Sequence, residues 1–492
     1  MQTKLLSILI AGVLAGCSMA PDYQRPNGDV DSTGWSDTET NTSQVSNETV
    51  LPDWRTFVAD PRLQSLIESA LENNKDLRQT ILSVASLRAQ YRVTDSDRYP
   101  GLDLSGSSAR TRVSDAYTGA GKQYSTTATA TVGVTSYELD LFGRVKSLSD
   151  QALETYLSQE ESRRSAVISL IAEVSSSYMT LMANQELLSL AQETVDAYEQ
   201  TLKLVETRYK AGYSNALTLA QSQTALHSAQ ATVAQYKLAV AQDYNTLRQL
   251  VGAPIQERLE GKLPMEEGQV LSELKVGTPS ELLLSRPDVL AAEHTLKADN
   301  ANIGAARAAF FPQISLTAGA GTRSNSLDSL FSSDSGYWTF TPSISMPIFN
   351  WGSTQASLDI AKITKESSIV AYQQTIETAF KEVSDALLGQ QYYMEEWTAQ
   401  KSNLKANEDY YDLAKMRYEK GNDSYIDLLD AQRSLFSARE SELSSHLNLL
   451  TSRVSLYKAL GGGWKAADEE QSTSVSHALE RMEQRNEESD EK

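Results

Sequence analysis

Hydrophobic positions along this chain follow two periods, and the two periods occur in the same order in each half. From Thr127 the chain reads Thr-Ala-Thr-Ala-Thr-Val-Gly-Val-Thr. Ala128, Ala130, Val132 and Val134 fall on one side, and Thr127, Thr129, Thr131 and Thr135 on the other. Strict alternation predicts a strand with one apolar face, and Leu102–Val113 is its weaker hairpin partner. In the second half Ile314, Leu316, Ala318 and Ala320 alternate with Gln313, Ser315, Thr317 and Gly319. Trp338, Phe340, Ile344, Met346 and Ile348 then alternate with Thr339, Thr341, Ser343 and Ser345. Each run is about ten residues, the length a tilted strand needs to cross a bilayer. The polar faces carry few large apolar residues and suit a wet lumen, while Tyr337, Trp338 and Phe340 near one end suit an interfacial aromatic girdle.

After each hairpin the period lengthens. Val167, Leu170, Val174, Ser177, Leu181, Asn184, Leu188, Ala191, Val195, Tyr198, Leu202, Val205 and Tyr209 are spaced alternately by three and four. That 3.5-residue period predicts a long helix supercoiling against neighbours. After Gly212 the chain turns back, with Leu219, Leu226, Val233, Val240 and Leu247 recurring every seventh position and alanines between them. The second copy repeats this without a gap: Arg208-Tyr209-Lys210-Ala211-Gly212 matches Arg417-Tyr418-Glu419-Lys420-Gly421 at an offset of 417 − 208 = 209 positions. A long-period duplication sets the architecture as two hairpin-plus-helix units.

The boundaries this predicts are a signal peptide over 1–16, an extended N-terminal segment over 17–60, and helices of the first repeat over 61–99. A first membrane hairpin (100–138) leads into a long helical hairpin (139–252, tip near Gly212). A linker (253–280) joins the repeats. The second repeat has a helix (281–311), a membrane hairpin (312–349) and a helical hairpin (350–461, tip near Gly421), followed by a tail (462–492).

The first residues are a processing signal: Lys4, a short apolar run from Leu5 to Leu14, then Leu14-Ala15-Gly16-Cys17, the pattern of a bacterial lipobox. Cys17 is the only cysteine, so no intramolecular disulfide is possible and its thiol is the candidate for a covalent lipid. Ser18 at the next position points to the outer membrane. The rest has no apolar run approaching about 20 residues, so no transmembrane helix is expected. The net charge of −20 argues against nucleic acid as a partner. Part of it is the tail from Asp468, with nine acidic residues against three basic ones, too polar to order itself.

Two strands per half make four per chain. Four cannot close a barrel, and open edges in lipid leave backbone groups unpaired. Two chains would pool eight strands, whose interior side chains fill; three would pool twelve and leave a lumen.

The chain resembles the TolC-like outer-membrane efflux channel family, in its lipoprotein branch serving resistance–nodulation–division pumps. The residues that carry the resemblance are Leu14-Ala15-Gly16-Cys17, Ser285-Arg286-Pro287-Asp288-Val289, Ala305-Ala306-Arg307, Phe311-Pro312 and Tyr425 through Arg433. It implies a membrane α+β fold: a homotrimer with a twelve-stranded β-barrel in the outer membrane and a twelve-helix periplasmic α-barrel. It further implies a periplasmic adaptor and an inner-membrane proton-driven transporter as partners. No cofactor is expected beyond the lipid on Cys17. The rival reading is a surface-anchored coiled-coil scaffold or adhesin lipoprotein without a pore, which has no use for membrane-length strands with polar faces.

Where the copies agree, as at Arg208-Tyr209 and Arg417-Tyr418, the residues read as shared structure; Gly212 and Gly421 make the turns. Where they differ, Thr218 faces Asp427, Gln221 faces Asp430 and Thr224 faces Arg433, a charged triplet found only in the second copy. Spacings of three put the triplet near one helix face. Threefold symmetry would make the aspartates a ring of six carboxylates, which favours cations at a constriction, and Arg433 could pair with Asp430. The resemblance implies that these aspartates line the periplasmic aperture and that Tyr418 belongs to the gating contacts. Enzyme chemistry finds no support. Gly119-Ala120-Gly121-Lys122 lacks the earlier glycine of a phosphate loop, and His227, His294, His446 and His477 show no ligand spacing.

Overall fold

The computed structural model describes residues 18–26, 52–113, 123–255, 259, 261, 263, 271 and 286–462. Cys17, the acidic tail and most of the 253–280 linker lie outside the described residues. In chain order the elements are α1 (Trp54–Phe57), α2 (Pro61–Asn73), α3 (Lys75–Ser96), β1 (Asp103–Val113), β2 (Gln123–Glu138), α4 (Arg144–Lys210) and α5 (Ala216–Val251). The second half gives α6 (Pro287–Ala308), β3 (Gln313–Ser324), β4 (Gly336–Ser345), α7 (Ser353–Glu419) and α8 (Tyr425–Ala459). The helices α4 and α7 each have 67 residues and keep the 209-position offset at both ends. At 1.5 Å per residue each is about 100 Å long.

The chain divides into two compact units. One holds the sheet, α6 and the helical segments adjoining the strands. Its four strands form a single antiparallel sheet in the order β1-β2-β3-β4, so β1 and β4 keep an unpaired edge within one chain. The alternation reads through in the register: Leu104, Val132, Ala320 and Trp338 form one row across all four strands, and Ser105, Thr131, Gly321 and Tyr337 the next. Leu104 is 79% exposed and Trp338 77%. An exposed apolar sheet face of this kind seeks a non-aqueous surface.

Three details depart from the sequence expectation. Tyr337 lies on the polar face, opposite Trp338 and Phe340, and its hydroxyl bonds Thr131 Oγ1. It therefore does not belong to the aromatic band. Second, β2 carries a bulge between Val134 and Tyr137. There Ser136 takes a φ of 56° and its N–H donates to Thr317 Oγ1 at 3.2 Å, so one extra residue re-aims the strand end. Third, β4 stops at Ser345, short of Met346 and Ile348; Pro347 has no N–H to extend the ladder.

The same unit holds residues 18–26 against α6. Arg25 Nε donates to Glu293 Oε2 at 3.1 Å and Tyr23 Oη to Glu293 Oε1 at 3.2 Å. Asn300 Nδ2 reaches the Pro21 carbonyl at 2.8 Å, and Arg307 reaches that of Met19 at 3.1 Å. Burial opposes ionisation of Glu293, yet bonds from Arg25 and Lys297 outweigh it and hold the carboxyl below its usual range.

The other unit contains the main apolar core. Leu181, Met182 and Leu247 from α4 and α5 pack with Leu63 and Ile67 of α2. Phe57 stacks on Tyr457 at 4.3 Å. The segment 17–60, expected to be extended, includes the helical turn α1, started by the Asp53 carboxylate on the N–H of Arg55. The linker, too, contributes to this core, for Leu259, Leu263 and Leu271 are all buried and Leu271 pairs with Val58. The helix α4 has a stretch long and apolar enough to cross a membrane, but 67% of it is buried within the chain. It is a core helix.

Candidate functional site

The two helical turns are built alike. Each long helix ends in a glycine of left-handed conformation, with φ of 81° at Gly212 and 77° at Gly421. The closing hydrogen bonds correspond position by position. Gly212 N donates to Tyr209 O and Gly421 N to Tyr418 O, both at 3.0 Å; Tyr213 N donates to Arg208 O at 2.8 Å and Asn422 N to Arg417 O at 2.9 Å. This is a Schellman-type stop, in which glycine avoids the steric cost of positive φ.

The return helices start differently. Asn215 caps α5 by accepting from Thr218 N at 2.9 Å. Ser424 caps α8 in a full capping box: its hydroxyl meets the N–H of Asp427, and Asp427 Oδ2 accepts from the N–H of Ser424 at 3.0 Å and its hydroxyl at 2.7 Å. Asp427 is thus engaged by the backbone of its own turn as well as exposed to solvent. The Ser-x-x-Asp spacing from Ser424 to Asp427 carries this in the sequence. Asp430 is exposed and accepts from the Tyr410 hydroxyl at 3.1 Å. Among the described residues no ion pair joins Asp430 to Arg433. Arg433 and Asp430 instead share the wall of an open groove of about 390 Å³, which Ile426 and Leu429 also line, facing Leu217, Ala220, Gln221 and Thr224 of α5.

Shared sequence does not mean shared environment here. Tyr418 is 4% exposed and Tyr209 43%. Tyr418 packs with Tyr198, Val205, Leu226, Tyr425 and Leu428, under the Arg208 guanidinium at 4.7 Å from its ring centroid. The corresponding Arg417 does something else: it grips Asp423 through two bonds of 2.6 and 2.7 Å and holds that half-exposed carboxyl below its ordinary range. Position 214, which corresponds to 423, is serine. Arg208 therefore lacks the carboxylate that Arg417 has six positions on, and lies over the tyrosine of the other copy. The mismatch of Ser214 against Asp423 is a further difference between the copies, beyond the charged triplet.

The turns thus present four exposed or half-exposed carboxylates on the second copy, Glu419, Asp423, Asp427 and Asp430, beside a buried tyrosine cluster and exposed Tyr213, Leu217 and Ile426. Among the described residues no cluster has the makings of a metal site.

Comparison with known proteins bears on what such a chain does. The model of a family described as outer membrane efflux protein matches residues 66–253 and 278–462. The antibiotic efflux pump outer membrane protein ArpC of Pseudomonas putida is 46% identical over 472 residues, covering 94% of this chain and 96% of that protein. The cation efflux system protein CusC of Escherichia coli is 41% identical over 467 residues, covering 94% and 99%. The open-state crystal structure of the MtrE outer membrane channel of Neisseria gonorrhoeae superposes with a TM-score of 0.81 at 38% identity, covering 91% of this chain and 99% of that one.

Proposed function

The chain belongs to the outer membrane efflux protein family, and from that premise we propose that it is a passive exit duct whose gate is the face bearing Asp427 and Asp430. It is an outer-membrane efflux channel protein, not an enzyme and not an adhesin. In the proposed assembly three copies pool their strands into a twelve-stranded barrel and their long helices into a periplasmic α-barrel. The observation that carries this is the four-stranded sheet with one apolar and one hydroxyl-rich face and two unpaired edges, β1 and β4. Edges of that kind are untenable in lipid unless another copy pairs them, and the antiparallel order lets β4 of one copy meet β1 of the next.

Cys17 carries the lipid, and the strap at residues 19–25 holds the adjoining chain to α6. The helical turns form the periplasmic aperture. Asp427 and Asp430 from three copies give a ring of six carboxylates that attracts cations, and Tyr418 with Arg208 fastens the first copy's turn to the second. A periplasmic adaptor seats on Tyr213, Leu217 and Ile426, and a resistance–nodulation–division transporter supplies the driving force. The cargo is drugs or other small toxic compounds, and the choice among them lies with the transporter. Single-channel recording of the Asp427→Asn/Asp430→Asn variant under a salt gradient tests the gate. Reduced cation selectivity is expected, and a selectivity equal to wild type would remove the aspartates from the aperture.

A further inference from the structure

The apolar face of the sheet ends in cations. Beyond the row of Leu104, Val132, Ala320 and Trp338, the same face continues as Gly106, Ala130, Thr322 and Gly336. It then passes to Ser108, Ala128 and Ser324, to Arg110 with Thr126, and ends at Arg112 with Tyr124. Towards the hairpin end the face therefore runs from aliphatic, through hydroxyl and small residues, to two arginines. Arg110 lies six residues beyond Leu104 in β1, about 20 Å of strand, or about 15 Å along the membrane normal at the usual tilt. Trp338, on the same row as Leu104, already marks the interface, so that separation carries the guanidinium groups clear of the hydrocarbon to the level of the phosphates and sugars of a glycolipid.

The pair is unspent. Both arginines are exposed, and among the described residues neither pairs with a carboxylate. The Arg110 guanidinium sits 5.1 Å from the ring centroid of Tyr124, which is itself 58% exposed and stands directly opposite Arg112. Two like charges on one strand face gain nothing from each other, and they stand out in a chain of net charge −20. Guanidinium groups bind phosphate through paired N–H donors, and an amphipathic ring beside them suits the boundary between acyl chains and sugars.

We infer that Arg110 and Arg112 form a binding site for the phosphate groups of a glycolipid in the outer leaflet of the outer membrane, with Tyr124 set against the sugar that bears them. Arg323 is the internal contrast. It pairs with Thr129 on the polar face and has no access to lipid. The inference rests on the sheet crossing the membrane as proposed above.

Native mass spectrometry of the purified channel, titrated with bisphosphorylated lipid A and with dephosphorylated lipid A of the same acyl chains, tests it. Wild type is expected to prefer the phosphorylated lipid by about tenfold or more, as two charge-assisted contacts allow. Arg110→Ala/Arg112→Ala loses the preference, as does Arg110→Gln/Arg112→Gln, which keeps more of the side-chain bulk; Arg323→Ala retains it. Equal binding of the two lipids by wild type, or a preference surviving in the double variants, overturns the site. Displacement of the lipid by equimolar inorganic phosphate also overturns it, because the site would then be one for free anions. Conductance of the same preparations in phosphatidylcholine bilayers separates the two readings. A conducting channel without phosphate preference fails this inference alone, while absence of conductance fails the membrane-spanning reading and the site with it.

Discussion

Asp427 serves two ends at once, and the two can be separated by choice of substitution. Its carboxylate closes the capping box of α8 through the N–H of Ser424 at 3.0 Å and the Ser424 hydroxyl at 2.7 Å; its charge faces the proposed aperture. Asp427→Asn keeps an oxygen acceptor at the same position and removes the charge. Asp427→Ala removes both. Loss of one side of a capping box costs about 0.5–2 kcal/mol, and exposure places this one near the lower half of that range, about 1 kcal/mol. Such a loss raises local opening about fivefold. Hydrogen exchange at the amides of residues 424–428 should then be about fivefold faster in Asp427→Ala and near wild type in Asp427→Asn. Reversal potentials under a salt gradient should shift equally in both variants, because both lose the same charge. Exchange equally fast in both variants would show that the amide oxygen does not replace the carboxylate. Selectivity lost only in the alanine variant would show that the turn, and not the charge, controls the aperture.

Other expectations follow from burial and contact. Tyr418→Ala should lower the denaturation midpoint by the equivalent of about 3–4 kcal/mol, as for a buried aromatic, and Tyr209→Ala by less than about 1 kcal/mol; equal losses would contradict the unequal packing. His446 is buried against Trp397 at a centroid distance of 4.5 Å, and burial, with Arg453 and Lys401 nearby, pushes its pKa down to about 4. The unfolded chain therefore binds a proton at this site that the folded chain does not, so the site's contribution, on the order of 3 kcal/mol, is complete above about pH 6.5 and lost as pH falls towards 4. His446→Phe should flatten stability over that window in urea titrations at stepped pH, and an unchanged slope would refute the assignment. At Gly304 a Cβ would stand 2.7 Å from Ala20 N and 2.9 Å from its Cα. Gly304→Val should thus unseat the strap and open residues 18–26 to proteolysis, whereas equal resistance would mean that the strap holds without that contact.

What the sequence by itself determined is what short-range physics controls. Alternation at period two located three strands, because adjacent side chains must point to opposite faces, and the fourth was placed as the hairpin partner of one of them. The 3,4 spacing located the first long helix and Gly212 its turn; the duplication at an offset of 209 located the second helix and the turn at Gly421. The capping role of Asp427 is equally legible in the spacing Ser424-x-x-Asp427. What only the tertiary structure decided depends on residues far apart in the chain. Tyr209 and Tyr418 share the preceding arginine and the glycine three positions on, yet one is exposed and the other buried, because Tyr418 meets Tyr198, Val205 and Leu226, more than 190 positions away in the chain. The bulge at Ser136, the placement of Tyr337 on the polar face beside Thr131, and the burial of Leu259, Leu263 and Leu271 from an apparent linker are likewise set by pairing and packing partners. Periodicity describes which face a side chain occupies; it holds no information about what the rest of the chain brings to that face.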